Sequence, residues 1–288
     1  MTFREIYTNY INALQAIYSK GEASAITNII FRRFANLSKS GLVIKGNMVP
    51  DTKTSALLEE AMGKLLKHIP VQYITGEAWF YNLKFKVNDQ VLIPRPETEE
   101  LVQEAINFLK TRSGKKILDI GTGSGCIPIS IKKNIPDAEI ISVDISPGAL
   151  QIAVENAAAN YIKIDFRQMN FLAEEIYNTL PIFDVIISNP PYIPENDKDL
   201  MDKNVVLHEP HSALFVPQND PLLFYRKIHL FAKEHLAEKG KIFLEIHENH
   251  AKETATLFNA KNYLTEIKKD MQGKERILLC SKNKELIL

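Results

Sequence analysis

An α/β fold, a doubly wound and mostly parallel sheet preceded by a small all-α bundle, is what this sequence predicts, and three observations predict it. From Lys116 onward, short apolar runs alternate with helical segments, the pattern of a parallel sheet covered on both faces. The most unusual local sequences, Gly121-Thr122-Gly123-Ser124-Gly125, Asp144 and Asn189-Pro190-Pro191-Tyr192, each follow one of those runs. Ligands of open α/β sheets bind beyond the carboxyl ends of the strands. Ahead of all this, residues 1–75 read as helices only.

In that first segment Ile6, Tyr10, Ala13, Leu14 and Ile17 recur at helical spacing, with Gly21 as a stop. Ala25, Ile26, Ile29, Ile30 and Phe34 repeat the pattern before Ser40-Gly41. A third helix starts at Asp51 or Thr52 and carries Leu57, Leu58, Ala61, Met62, Leu65 and Leu66 up to Pro70. The bundle is mildly basic and holds no evident chemistry, which suits partner recognition. Residues 76–97 read as a hairpin linker between domains: Trp79, Phe80, Leu83, Phe85 and Val87 alternate in part, Asn88-Asp89 make the turn, and Val91, Leu92 and Ile93 return. Pro96 then opens a helix with Glu97, Glu99 and Glu100 at its positive end and Leu101, Val102, Ala105, Ile106 and Leu109 as its buried stripe. The α/β domain, 98–288, has strands expected at 117–120, 140–143, 183–188, 241–246 and 275–281.

Composition narrows the function. The 288 residues, 45% of them hydrophobic, can fill a large core and a small one. Lys+Arg and Asp+Glu stand at 35 each, which argues against affinity built on wrapping nucleic-acid phosphate, so no stable nucleic-acid binding is expected. Cys126 and Cys280 lie far apart in apolar company, as thiols in a reducing compartment do. No apolar run approaches the roughly 20 residues that span a bilayer, and the start MTFREIYTNY has no signal-peptide core. A cytoplasmic protein free of membrane is expected, with monomer as the default state.

The chemistry centres on Asn189-Pro190-Pro191-Tyr192. A residue before proline is held extended, so the Asn189 side-chain amide and the Pro190 carbonyl can both point into a cleft as fixed acceptors. A planar NH₂ group has two donors to match them, and Tyr192 offers a ring for a flat group. The same residues also suit an ordinary turn closing a strand. Gly121, Gly123 and Gly125 allow a tight turn and close ligand approach, but their G-x-G-x-G spacing is not the dinucleotide G-x-G-x-x-G. Asp144 ends the next strand, where an acid accepts from the two hydroxyls of a ribose. A nucleoside carrying an amino acid fits this set, which describes S-adenosylmethionine, whose methyl a poor nitrogen nucleophile would need.

The segments D-I-G-T-G-S-G at 119–125, S-V-D-I-S at 142–146 and N-P-P-Y at 189–192 resemble the class I methyltransferase motifs of the protein-glutamine N5-methyltransferases, the HemK/PrmC family. P-V-Q-Y-I-T-G at 70–76, I-P-R-P-E-T-E at 93–99, E-P at 209–210 with A-L at 213–214, and D-x-x-G-x-x-R from Asp270 to Arg276 extend the resemblance over nearly the whole chain. It implies a Rossmann-like methyltransferase domain whose last strand is antiparallel, S-adenosyl-L-methionine as cofactor, and methylation of the glutamine amide nitrogen in the Gly-Gly-Gln motif of peptide chain release factors. By position it implies that Gly121, Thr122, Gly123, Ser124 and Gly125 contact the methionine part, Asp144 the ribose and Phe171 the adenine face, with Asn189 also among the cofactor contacts. Asn189, Pro190, Pro191 and Tyr192 would hold the glutamine, with Asn189, Pro190 and Tyr192 acting in the transfer. Asn170, Pro128 and the run E-I-H-E-N-H at 245–250 depart from the family pattern.

Other readings are weaker. His247-Glu248-Asn249-His250 is one residue short of H-E-x-x-H and lacks a third ligand, so no metal is expected. His208 and His211 read as loop residues near the cleft. An N6-adenine methyltransferase of DNA or RNA would reuse the same two acceptors on a base amine, and a non-catalytic cofactor-binding accessory of translation would keep the socket without turnover.

Overall fold

A serine, threonine or aspartate ahead of an amphipathic run starts a helix by accepting its first free N–H groups, and the first unit is laid out this way. In the computed structural model, which describes residues 1–260 and 263–282, α1 (Phe3–Leu14) is opened by Thr2 and Glu5 in a reciprocal capping box. α2 (Lys20–Phe34) is opened by Ser19, α3 (Lys39–Lys45) by Ser38, and α4 (Thr52–Leu65) by Asp51. α5 (Val71–Thr75) ends at Gly76, which takes φ +73°. Gly21 and Ser40-Gly41 are therefore not stops. Each lies in the first turn of a helix, because the serine cap just ahead restarts the helix before the glycine, and a first turn tolerates glycine well. The Tyr7 and Tyr10 rings pack in T-shaped contacts with Phe31, with centroids 5.2 and 5.7 Å away, and Leu14, Ile30, Leu58 and Leu65 close the core around them. This unit comprises Met1–Glu77 and also Asp202–His208. His208 is thus a helical residue, its Nε2 2.9 Å from the Lys67 carbonyl oxygen.

The larger unit takes Ala78–Met201 and the residues from Glu209 on, so most of the expected linker belongs to it. Its hairpin pairs β1 (Glu77–Phe80) with β2 (Leu83–Lys86). The turn is Tyr81-Asn82, at φ +49° and +60°, not Asn88-Asp89, and 91–93 form no returning strand. Two consecutive left-handed residues make the tight turn whose twist matches the strands. Glu99 secures it by accepting the Tyr81 N–H at 2.8 Å.

From there the chain runs through α6 (Pro96–Lys110), β3 (Lys116–Ile120), α7 (Cys126–Asn134), β4 (Glu139–Asp144), α8 (Pro147–Ala159), β5 (Asp165–Gln168) and β6 (Phe183–Ser188). A short strand β7 (Ile193–Pro194) precedes α9 (Lys203–His208), the helix lent to the first unit, and pairs with β8 (Phe215–Val216) on the return. α10 (Leu223–His235), β9 (Leu236–Glu245), α11 (Ala251–Asn259), β10 (Tyr263–Lys269) and β11 (Glu275–Lys282) complete it.

The main sheet has the order β10-β11-β9-β6-β3-β4-β5, with β11 antiparallel to both neighbours and the pairs from β9 to β5 parallel. Alternate residues feed opposite cores: Val185 and Ile187 pack with α6 and α7, Ile186 with α10 and α11. Two strands escape a reading of apolar runs. β5 and β10 lie at the sheet edges, where Asp165 and Arg167, or Glu266 and Lys268, interrupt the pattern without exposing a core. Pro128 costs α7 nothing, since the third helical position has no intrahelical acceptor for an N–H.

Candidate active site

Strand register sets the site. Ile120 pairs with Val143 on one side and Ser188 on the other, and Ser188 pairs with Leu244. The next residue along each strand, Gly121, Asp144, Asn189 and Glu245, therefore stands at one level just past the apolar sheet. The winding reverses between β4 and β6, on either side of β3, so this is also the switch point where α/β sheets open a crevice.

On the β3–β4 side the glycine turn and Asp144 form a connected set. Gly121, Gly123 and Gly125 take φ +76°, +52° and +80°. The Asp144 carboxylate is fixed by two backbone donors, Gly123 N–H on Oδ2 and Ser146 N–H on Oδ1, both at 2.9 Å. Burial raises its pKa, and those N–H groups draw it back. Beneath the turn Asp119 is fully buried and accepts from the Ser142 hydroxyl, whose oxygen is also 2.7 Å from Thr122 Oγ1. Burial pushes the Asp119 carboxyl up to about 7. Asn156 on α8 braces the turn from outside, donating to the Ser124 carbonyl at 2.9 Å.

On the β6–β9 side Asn189 Nδ2 donates to Thr98 Oγ1 at 3.1 Å, and Thr98 donates to Glu245 Oε2 at 2.6 Å. The Tyr192 hydroxyl donates to Glu245 Oε1 at 3.1 Å, and Tyr225 to the Glu245 carbonyl at the same distance. Among the described residues nothing donates to Asn189 Oδ1 or to the Pro190 carbonyl. Both acceptors remain for a ligand. Pro191 and Tyr192 are half-buried. Burial, then the Glu245 charge, keeps the Tyr192 phenol neutral, so it offers a ring rather than a base.

Thr98 and Glu245 are the site residues that the sequence reading missed. Their signals were I-P-R-P-E-T-E and the unusual run at 245–250, noted as motif and departure without a role. Phe171 lies in the core at 5% exposure, with Tyr177 and Phe231 centroids 5.2 and 5.4 Å away. Little of its ring is open to a ligand. Asn170 is exposed and accepts the Leu172 N–H at 3.1 Å, the turn an aspartate would also make. His247 meets the Tyr192 ring edge-on at 5.8 Å, His250 pairs with Glu253 at 3.0 Å, and His211 packs on Phe215 at 5.2 Å.

A family model for the PrmC N-terminal domain matches residues 5–76, and one for the methyltransferase small domain matches 101–215. A release factor glutamine methyltransferase from Flavobacterium psychrophilum is 42% identical over 282 residues, covering 96% of this chain and 98% of that one. This chain belongs to the release factor glutamine methyltransferase family. The release factor glutamine methyltransferase of Bacteroides thetaiotaomicron is 38% identical, with 96% and 99% of the two chains covered. Among solved structures, the hMettl16 catalytic domain in complex with MAT2A 3'UTR hairpin 6 aligns at TM-score 0.53 and 13% identity, covering 80% of this chain and 81% of that one. That likeness shows the shared methyltransferase fold alone.

The residues present fit the family's cofactor, S-adenosylmethionine. A Cβ built on Gly121 or Gly123 would meet nothing within 4 Å, so both face open space that a ligand can enter. Asp119 Oδ1 and Ser124 Oγ are buried without a partner among the described residues. Two carboxylates, Asp119 and Asp144, suit a ligand bearing an ammonium, a sulfonium and a ribose diol. Among the described residues no helix is long and apolar enough to cross a membrane.

Proposed function

We propose that this methyltransferase modifies the side-chain amide nitrogen of the glutamine in the Gly-Gly-Gln motif of peptide chain release factors. The observation that carries it is the fixed polarity of Asn189: its NH₂ is committed to Thr98, so its oxygen and the Pro190 carbonyl are left as acceptors for the two hydrogens of one planar amide. The turn from Gly121 to Gly125, with Thr122 and Ser124, would hold the methionine part of the cofactor and Asp144 the ribose; the largely buried Phe171 would lie against the adenine. S-adenosylmethionine supplies the methyl as an electrophile on a cationic sulfur.

An amide nitrogen is a poor nucleophile because its lone pair is delocalised. Two acceptors that hold both N–H bonds orient that lone pair and favour the positive charge that grows on nitrogen as the C–N bond forms. The product nitrogen then loses a proton readily to water, and no dedicated base is required. Pro191 keeps the segment extended, and Tyr192 packs beside the amide plane. The helical first unit would recognise the release factor. We place the protein in the cytoplasm as a monomer acting on protein rather than on nucleic acid.

Incubation with methyl-labelled cofactor and either release factor or nucleic acid tests this. Label on the Gly-Gly-Gln glutamine is expected. Label on adenine would select the base-amine reading, and no label on either would leave a cofactor-binding protein without turnover.

A further inference from the structure

Thr98 stands at the third position of α6, almost fully buried, and Glu245 ends β9 equally buried. Neither can reach water for an alternative partner. An ionised carboxylate accepts and never donates, so the single proton of the Thr98 hydroxyl is drawn to Glu245 Oε2 at 2.6 Å. What then meets Thr98 Oγ1 from the other side must be a donor, and the only donor on the Asn189 side chain is Nδ2, at 3.1 Å. The amide has two nearly isosteric orientations, and this chain of polarity admits one of them. Glu245 ties down the same loop a second time through the Tyr192 hydroxyl at 3.1 Å.

We propose that Thr98, directed by Glu245, is the positioning residue that makes the site select an amide over a carboxylate, by forcing Asn189 to present oxygen rather than NH₂ to the substrate. The inference rests on the proposed glutamine specificity and deepens it. With oxygen outward, a glutamine finds acceptors for its N–H groups, and a glutamate of the same shape brings a charged acceptor against acceptors. With the relay cut, Asn189 turns either way and can donate to a carboxylate. Discrimination between an amide and its acid therefore lives two residues behind the one that touches the substrate.

The test measures equilibrium binding of a release factor and of its Gln→Glu form at the Gly-Gly-Gln motif, with S-adenosylhomocysteine present so that no transfer occurs. Wild type is expected to favour the glutamine form. Thr98→Val should shrink that preference by about ten-fold, chiefly by strengthening the glutamate form, while S-adenosylhomocysteine affinity stays within about two-fold. Thr98→Ser, which restores the hydroxyl, should recover most of the preference, and Glu245→Gln should lose it. If Thr98→Val weakens both forms equally, Thr98 only packs and the proposal fails. If it keeps the wild-type ratio, the relay is wrong although the function stands. If wild type does not discriminate at all, the glutamine reading itself is overturned, and this inference with it.

Discussion

Asn189 Nδ2 donates to Thr98 Oγ1 at 3.1 Å across 91 positions of sequence. One partner follows β6, the other sits in the first turn of α6, and Glu245, 147 positions from Thr98, holds that hydroxyl in turn. The Asn189 side chain is thus oriented by two segments that a local motif search treats separately.

Turnover should fall on the acid side as Glu245 takes a proton. Burial raises this carboxyl, the Thr98 hydroxyl, Arg276 and the Tyr192 hydroxyl pull it back, and Glu97 pushes it up again, while Tyr225 faces only its carbonyl. The net direction is upward, so the limb begins at higher pH than for an ordinary glutamate. A protonated Glu245 donates where it formerly accepted, which frees Thr98 to turn toward Asn189. kcat followed as pH falls from neutrality should show a limb in wild type that Glu245→Gln lacks, the variant being slower at neutral pH.

Stability should decline with rising pH because of Asp119. Unfolded, it releases its proton near about 3.9; folded, near about 7, because burial disfavours the charge. Between those values the native state holds a proton that the unfolded state lacks. The contribution is full below the lower value and is lost as pH rises through the upper one, at a limiting slope of about 1.4 kcal/mol per pH unit. Denaturant unfolding across that window should show a shallower slope for Asp119→Asn than for wild type.

Gly123 and Gly125 should respond differently to alanine. At Gly123 a Cβ meets no atom within 4 Å, and the residue holds φ +52°. The stability cost is about 1–2 kcal/mol for a left-handed alanine, but the methyl fills the space open to the cofactor, so affinity for S-adenosylhomocysteine should drop about ten-fold or more. At Gly125 a Cβ lies 3.0 Å from Ile129 Cδ1 and 3.2 Å from Ala153 Cβ, so Gly125→Ala should lower the melting temperature further. Calorimetric binding and thermal melts separate the two.

Much of this was legible in the sequence because strands of a parallel sheet end where their chemistry begins. Ile120, Val143 and Ser188 close apolar runs, and the residues that follow them are the glycines, the aspartate and the asparagine. The hairpin turn was misplaced because Asn88-Asp89 carries ordinary turn residues, whereas Tyr81-Asn82 takes left-handed backbone that only tertiary hydrogen bonds such as Glu99 to Tyr81 N–H support. The roles of Thr98 and Glu245 were hidden for a related reason. A threonine in the first turn of a helix and a glutamate ending a strand are unremarkable locally, and their meaning appears only when the sheet brings them together.

The account turns on Asn189, and single-turnover methyl transfer by Asn189→Ala, measured beside cofactor affinity, tests it most directly. The rate should fall by about 10²–10³, as for loss of one preorganised polar contact to a charge-developing centre, while S-adenosylmethionine binds within about two-fold of wild type. Equal transfer rates in variant and wild type would contradict it.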